Sequence, residues 1–233
     1  MTFRLGLRAV SAVRTESRMV GLPNLVFVRL VPSLLDQLLP QLPGPMLAAL
    51  RWLFPGLFLP AHLVLKREKR GMEEEFVTER DLYRRGALSS VQGTHTPVFY
   101  GEVRCPETET TGGRALVLSD VGGISLEEAA AGGLKIPRLE AMLLESFGAL
   151  AAAGVSNLDY RLQNYRLVND RVVFLEFGRA SIVPPGSDVG IVVARSVSRV
   201  ALLYHCIHDP GGPTPRSVAE LELALPVALR TPV

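Results

Sequence analysis

This 233-residue chain has only two cysteines, one tryptophan and three lysines. Cys105 and Cys206 lie far apart in sequence and form no disulfide framework, so a reducing, intracellular and cytoplasmic setting is expected. His205-Cys206-Ile207-His208 lacks a second ligand pair at zinc spacing, and no zinc site is expected. The lysines are Lys66, Lys69 and Lys135; the other basic residues are arginines, scattered among 23 acids for a net charge of +2. A nucleic-acid binder would gather its basic residues on one element with aromatics interleaved. No nucleic-acid partner is expected.

Long unbroken apolar runs are also missing. Residues 34–60 are very apolar, but Asp36, Arg51, Pro40, Pro43, Pro45 and Pro55 interrupt them. A membrane-spanning helix needs about 20 consecutive, mostly apolar residues. Two short amphipathic helices are expected instead, Ser33 to Leu39 and Pro45 to Phe54. Ser33 suits an N-cap and Pro45 a first helical position. Burial of both against the rest of the domain is expected, with docking on a membrane surface as the lesser alternative; a membrane is not expected as a partner.

Among the residues that are present, Arg4, Arg8, Arg14 and Arg18 face a single acid, Glu16, near the start. A mitochondrial presequence can share that composition. The alternation within Phe3 to Val10 reads instead as one strand with a solvated face. His62 to Arg67 reads as a strand and Met72 to Arg85 as a helix. Pro97 to Val103 and Arg114 to Ser119 read as paired strands. The Gly112-Gly113 pair belongs to the connection between them. Pro137 opens a helix whose buried face carries Leu139, Met142, Leu143, Phe147 and Leu150, and Gly154 can end it. A polar loop, a strand over Val172 to Phe177 and an apolar helix over Asp188 to His208 follow.

The loop carries the most chemistry. Leu158-Asp-Tyr-Arg-Leu-Gln-Asn164 spaces an aspartate and an asparagine five positions apart, and Val172-Val-Phe-Leu-Glu-Phe-Gly178 then places a carboxylate before Phe-Gly. With Leu65-Lys66, Glu79 and Tyr83, Val91-Gln-Gly93, Tyr100-Gly-Glu102 and Leu118-Ser-Asp-Val-Gly-Gly123, these segments resemble the protein kinase and aminoglycoside/choline phosphotransferase superfamily. They are most similar to small fungal kinase-like proteins, over roughly residues 60 to 182. The resemblance implies an α+β, two-lobed kinase-like fold. It would have a small β-rich N-terminal lobe with one main helix, over residues 1–118 (1–60 poorly matched), and a mostly helical, shortened C-terminal lobe over 119–233. It also implies transfer of the γ-phosphoryl group of ATP, with Mg2+, to a hydroxyl substrate.

By the same resemblance, Lys66 contacts the α- and β-phosphates and Glu79 holds its ammonium. Leu118 and Asp120 border the nucleotide. Asp159 is catalytic, accepting or orienting the proton of the substrate hydroxyl, and Asn164 and Glu176 bind the metal. Three departures stand against a full enzyme. Asn157 replaces a histidine, though an amide still donates and accepts hydrogen bonds. Glu176 replaces an aspartate, and its extra methylene displaces the carboxylate from a metal that demands oxygens at about 2.0–2.1 Å. Residues 1–31 offer only Gly6 and Gly21 in place of a glycine-rich loop. The alternative expectation is a catalytically inactive pseudokinase acting as an interaction module with a protein partner.

Overall fold

The computed structural model describes residues 1–6, 8–15, 24–53, 57–106, 108, 111–226 and 229. The chain divides into two units, residues 1–76 with 98–120, and residues 77–97 with 121–233.

Alternating apolar residues build the first unit. Strands β1 (Thr2–Leu5) and β2 (Arg8–Arg14) pair antiparallel with Phe3 opposite Val10. The single strand expected here is therefore a hairpin, broken by Gly6, whose φ of 58° suits a turn. Next come β3 (Leu25–Leu30), β4 (His62–Lys69), β5 (Phe99–Arg104) and β6 (Thr111–Ser119), giving an antiparallel order β1-β2-β3-β4-β6-β5. Phe3, Leu5, Val10, Val28, Leu65 and Val117 fill the interior. The sheet nearly closes on itself, because Leu5 of β1 packs against Gly101 of β5. A Cβ built on Gly101, at φ 144°, would lie 2.8 Å from the Leu5 side chain.

Between β3 and β4 lie α1 (Leu34–Leu38), a 3-10 turn (Leu39–Gln41) and α2 (Gly44–Leu53). Ser33 caps α1 through its hydroxyl, which accepts from the Asp36 N–H at 3.4 Å, while the Ser33 N–H donates to the Asp36 carboxylate at 2.8 Å. The expected burial of the second helix does not occur: no described residue of α2 is buried. Phe54 lies outside the described residues.

Gly112 and Gly113 are inside β6 and not in the connection. The reason is the buried carboxylate of Glu68, which occupies the space a Gly112 side chain would need and pairs with Arg114. Arg114 in turn lies 4.8 Å from the centre of the Phe76 ring.

Helix α3 (Glu73–Arg84) runs from the first unit into the second. The second unit contains β7 (Ile124–Ser125), α4 (Leu126–Ala131), α5 (Ile136–Ala152), β8 (Val155–Asn157), β9 (Tyr165–Val168), β10 (Arg171–Phe174), β11 (Ala180–Ile182), α6 (Val189–His208) and α7 (Val218–Ala224). Its strands form two small sheets, β10-β9-β7 and β11-β8. Asn169 and Asp170, at φ 47° and 60°, make the tight turn from β9 to β10. On α5 the five apolar residues expected to be buried are buried, and Pro137 stands in its first turn. By length and composition α6 could cross a membrane. Its apolar content has a local use, since Val193, Val197, Val200 and Tyr204 are buried and the helix packs on α5 and α7.

The expected two-lobed kinase-like architecture is overturned by this topology. The protein is α+β with a near-closed, barrel-like sheet of six antiparallel strands, and helix makes up 39% of it, less than a mostly helical C-terminal lobe requires. The physical causes are local. The first thirty or so residues are spent on three strands that bring β1 round to β5, and five short strands occupy the second unit beside its helices.

Two consequences can be measured. Gly112→Ala forces Glu68 off Arg114 inside a packed sheet, and a loss of about 1–3 kcal/mol in urea unfolding is expected; an unchanged midpoint contradicts the packing. In the second unit the His95 ring meets the Ser146 hydroxyl at 3.1 Å in a buried site. Burial lowers the His95 pKa, and Arg171 adds to this, against Glu145 and a hydrogen bond to the Val172 backbone. A lowered histidine pKa means that the unfolded chain takes up the proton first. Stability should therefore fall as pH drops below the ordinary histidine value of about 6.5. His95→Gln should flatten that part of the pH profile.

Candidate functional site

Aromatic packing fixes the loop that carries the candidate site. Phe147 of α5 meets Phe174 of β10 edge to face at 4.9 Å between ring centres, and Phe174 meets Tyr165 of β9 at 5.5 Å. All three are buried. Between β8 and β9 the chain therefore has a fixed start and a fixed end. It crosses that gap through a 3-10 turn, Leu162–Asn164. The Tyr165 hydroxyl donates to the Asp159 carbonyl at 3.0 Å, holding the middle of the loop.

Asn157 joins this loop to the turn that carries Glu176. Its Nδ2 donates to the Glu176 carbonyl at 2.8 Å, and its Oδ1 accepts from the Asp159 N–H at 3.1 Å. One buried amide thus performs the donating and accepting work expected of it. A second tie runs beside the first, from the Leu175 N–H to the Asn164 carbonyl at 2.9 Å. The pairing of β8 with β11, Asn157 opposite Ala180, continues the same connection past the turn.

The Asp159 carboxylate is buried and held by Arg161, from Nε at 2.8 Å and from Nη2 to the other oxygen. Burial raises its pKa. The hydrogen bonds and charge of Arg161 outweigh that, with help from Asn164, and hold the carboxyl below the usual value. Asn164 is itself buried, and its Nδ2 meets no acceptor with hydrogen-bonding geometry among the described residues. The Glu176 carboxylate accepts from the Gly178 N–H at 3.2 Å.

Tyr83 adds an electrostatic feature. Its buried phenol has a pKa far above the ordinary value, first through burial and then through the negative charges of Glu79 and Glu176, against a hydrogen bond from Thr96. Its ring stacks edge to face on Phe177 at 5.9 Å. Glu79, buried on α3, and Glu176 therefore act on the same hydroxyl.

Within the second unit the structure thus brings Asp159, Asn164 and Glu176 together, with Glu79 near Tyr83. Lys66, Leu118 and Asp120 belong to the first unit. There Lys66 is buried on β4, opposite Leu116 of β6, and Leu118 pairs with Val64 on the same two strands. Asp120 follows the end of β6. Sequence reading missed Arg161. Its signal was available: an arginine two residues after a loop aspartate can fold back across the turn onto the carboxylate.

Amide and carboxylate oxygens are the ligand types that magnesium takes. Asn164 and Glu176 supply an amide and a carboxylate from tied segments, and magnesium takes few protein oxygens, completing its shell with water and phosphate. Among the described residues no three His, Cys, Asp or Glu side chains cluster together, so this would not be a closed protein cage. Comparison with protein-family models finds no match, and comparison with curated proteins finds none either.

Arg161→Ala leaves burial acting on Asp159 with little opposition. Carboxyl 13C titration should then show the Asp159 pKa rising above the ordinary aspartate value. In the wild type the depressed pKa stabilises the fold above the unfolded value of about 3.9 and is lost as pH falls through the folded one; the variant should lose this acid-side dependence. An unmoved Asp159 titration contradicts the ion pair.

Proposed function

We propose that the loop-and-turn assembly of the second unit binds the phosphates of ATP with magnesium and supports slow transfer of the γ-phosphoryl group to a hydroxyl. The observation that carries this reading is the Asn157 amide, which ties the Asp159 loop to the Glu176 turn with two hydrogen bonds. Its effect is to hold a carboxylate, an amide and a second carboxylate in fixed relation, and phosphoryl transfer depends mostly on such positioning. The resemblance of the 158–178 motifs to phosphotransferases supports the same chemistry.

Asn164 and Glu176 would hold the magnesium, which neutralises charge on the phosphoryl oxygens when bound. Asp159 would accept a hydrogen bond from the substrate hydroxyl and aim its oxygen at the γ-phosphorus. The P–O bond to the β-phosphate breaks as the new bond forms, and the hydroxyl proton passes by way of Asp159 to solvent. With its pKa depressed by Arg161, Asp159 orients the hydroxyl better than it removes the proton. The longer Glu176 side chain, drawn back to Gly178, costs further positioning. A displacement of about 1 Å can cost on the order of 10²-fold in rate.

A second reading rests on those same two contacts. With Asp159 occupied by Arg161 and Glu176 by its own turn, the assembly also suits a non-catalytic interaction module whose hydrogen bonds serve only to hold a surface. The two readings separate by experiment. The first expects ATP to raise the thermal unfolding midpoint in a magnesium-dependent way. Asn164→Ala should remove that rise, and Glu176→Asp should increase turnover. The absence of any nucleotide-dependent shift overturns nucleotide binding and leaves the interaction module.

A further inference from the structure

Helix α2 is apolar and yet outside the core. It reads Gly-Pro-Met-Leu-Ala-Ala-Leu-Arg-Trp-Leu, and none of its described residues is buried. Met46 is 53% exposed, Leu53 55%, and Leu38, at the end of α1, 58%. Single exposed leucines are ordinary, but a run of them on one short helical excursion marks a surface that something covers. Other residues of the excursion are accounted for. Leu39 and Leu47 line a cleft of about 430 Å3 together with Leu57, Phe58, Leu59 and Tyr100. Arg8 pins the excursion to the sheet at both ends, donating to the Leu57 carbonyl at 2.6 Å and to both Asp36 oxygens at 2.6 Å.

Charge selects the occupant. From Asp36 to His62 the only charged residue between is Arg51, so the helix carries no acid, and Asp36 itself is neutralised by Arg8. Through residue 62 the chain has six arginines against two acids, with Arg8 spent on Asp36. Arg29 and His62, both exposed, pair across β3 and β4 at the strand ends from which the excursion leaves. A protein interface surrounds its apolar centre with a polar rim. An apolar helix beside an excess of positive charge suits a bilayer with anionic headgroups, where burial of apolar side chains and attraction to phosphates add.

We propose that α1 and α2 dock this protein on an anionic lipid surface, with Leu38, Met46 and Leu53 entering the acyl boundary and Arg29 and His62 facing the headgroups. A helix this short binds reversibly and lies in the interface without spanning it.

Co-sedimentation of the full chain with vesicles tests this, comparing phosphatidylcholine alone with a phosphatidylcholine and phosphatidylserine mixture. The chain should pellet with the mixture, less so at high salt. Met46→Asp combined with Leu53→Asp should weaken binding by more than about tenfold. Leu223→Asp, at a comparably exposed position on α7, should leave it unchanged. If the double variant fails to fold, Arg29→Gln decides, through weaker binding and a shallower salt dependence. Equal binding to neutral vesicles, binding indifferent to these variants, or a chain that stays in the supernatant overturns the proposal. So does a dimer in light scattering that the double variant dissolves without any vesicle binding, which would assign the helix to a second copy of the chain.

Discussion

The second unit depends on one buried side chain, the amide of Asn157. A loop between two strands has backbone groups that must find partners, and a turn several residues later has the same need. Asn157 meets both needs, accepting from the Asp159 N–H and donating to the Glu176 carbonyl. The bridge works beside the Leu175 N–H to Asn164 carbonyl bond and the pairing of β8 with β11. Together they join the Asp159 loop and the Glu176 turn in one piece, backed by the Phe147, Tyr165 and Phe174 rings. Asn157 thus does the donating and accepting expected of an amide at this position.

Electrostatics then decides what such a piece can do. Asp159 is shielded from water and would be a strong base if burial acted alone, but Arg161 holds it ionised and weakly basic. Glu79 and Glu176 place two negative charges near the Tyr83 phenol, which stays neutral at any physiological pH. The site is thus built from an aspartate held ionised, a neutral phenol and a set of hydrogen bonds. Such a site is better at holding a charged ligand in register than at driving proton transfer.

Much of the local structure was legible. The helical period over Pro137 to Leu150 gave α5 and its buried face, the composition of 72–85 gave α3, and Ser33 identified a cap. The five-residue spacing of Asp159 and Asn164 marked the loop that the structure ties to Glu176. What was not legible depended on contacts distant in sequence. Gly6 divides an alternating segment into a hairpin because β2 must return along β1, and Gly112 sits in a strand because Glu68, more than forty positions earlier, needs its space. Closure of the sheet through Leu5 and Gly101 has no local signature, and it is this closure that separates the protein from the two-lobed architecture its motifs suggest. The exposed α2 was misread because apolar composition signals burial without saying in what.

The central claim is that the Asp159 loop and the Glu176 turn act as one phosphate-binding piece. Amide NMR titration with magnesium and ATP tests it most directly. The Asp159, Asn164, Glu176 and Gly178 amide signals should move together along a single saturation curve, with the Asn157 side-chain amide moving alongside them. Movement confined to one of the two segments, or none in either at saturating nucleotide, would contradict it.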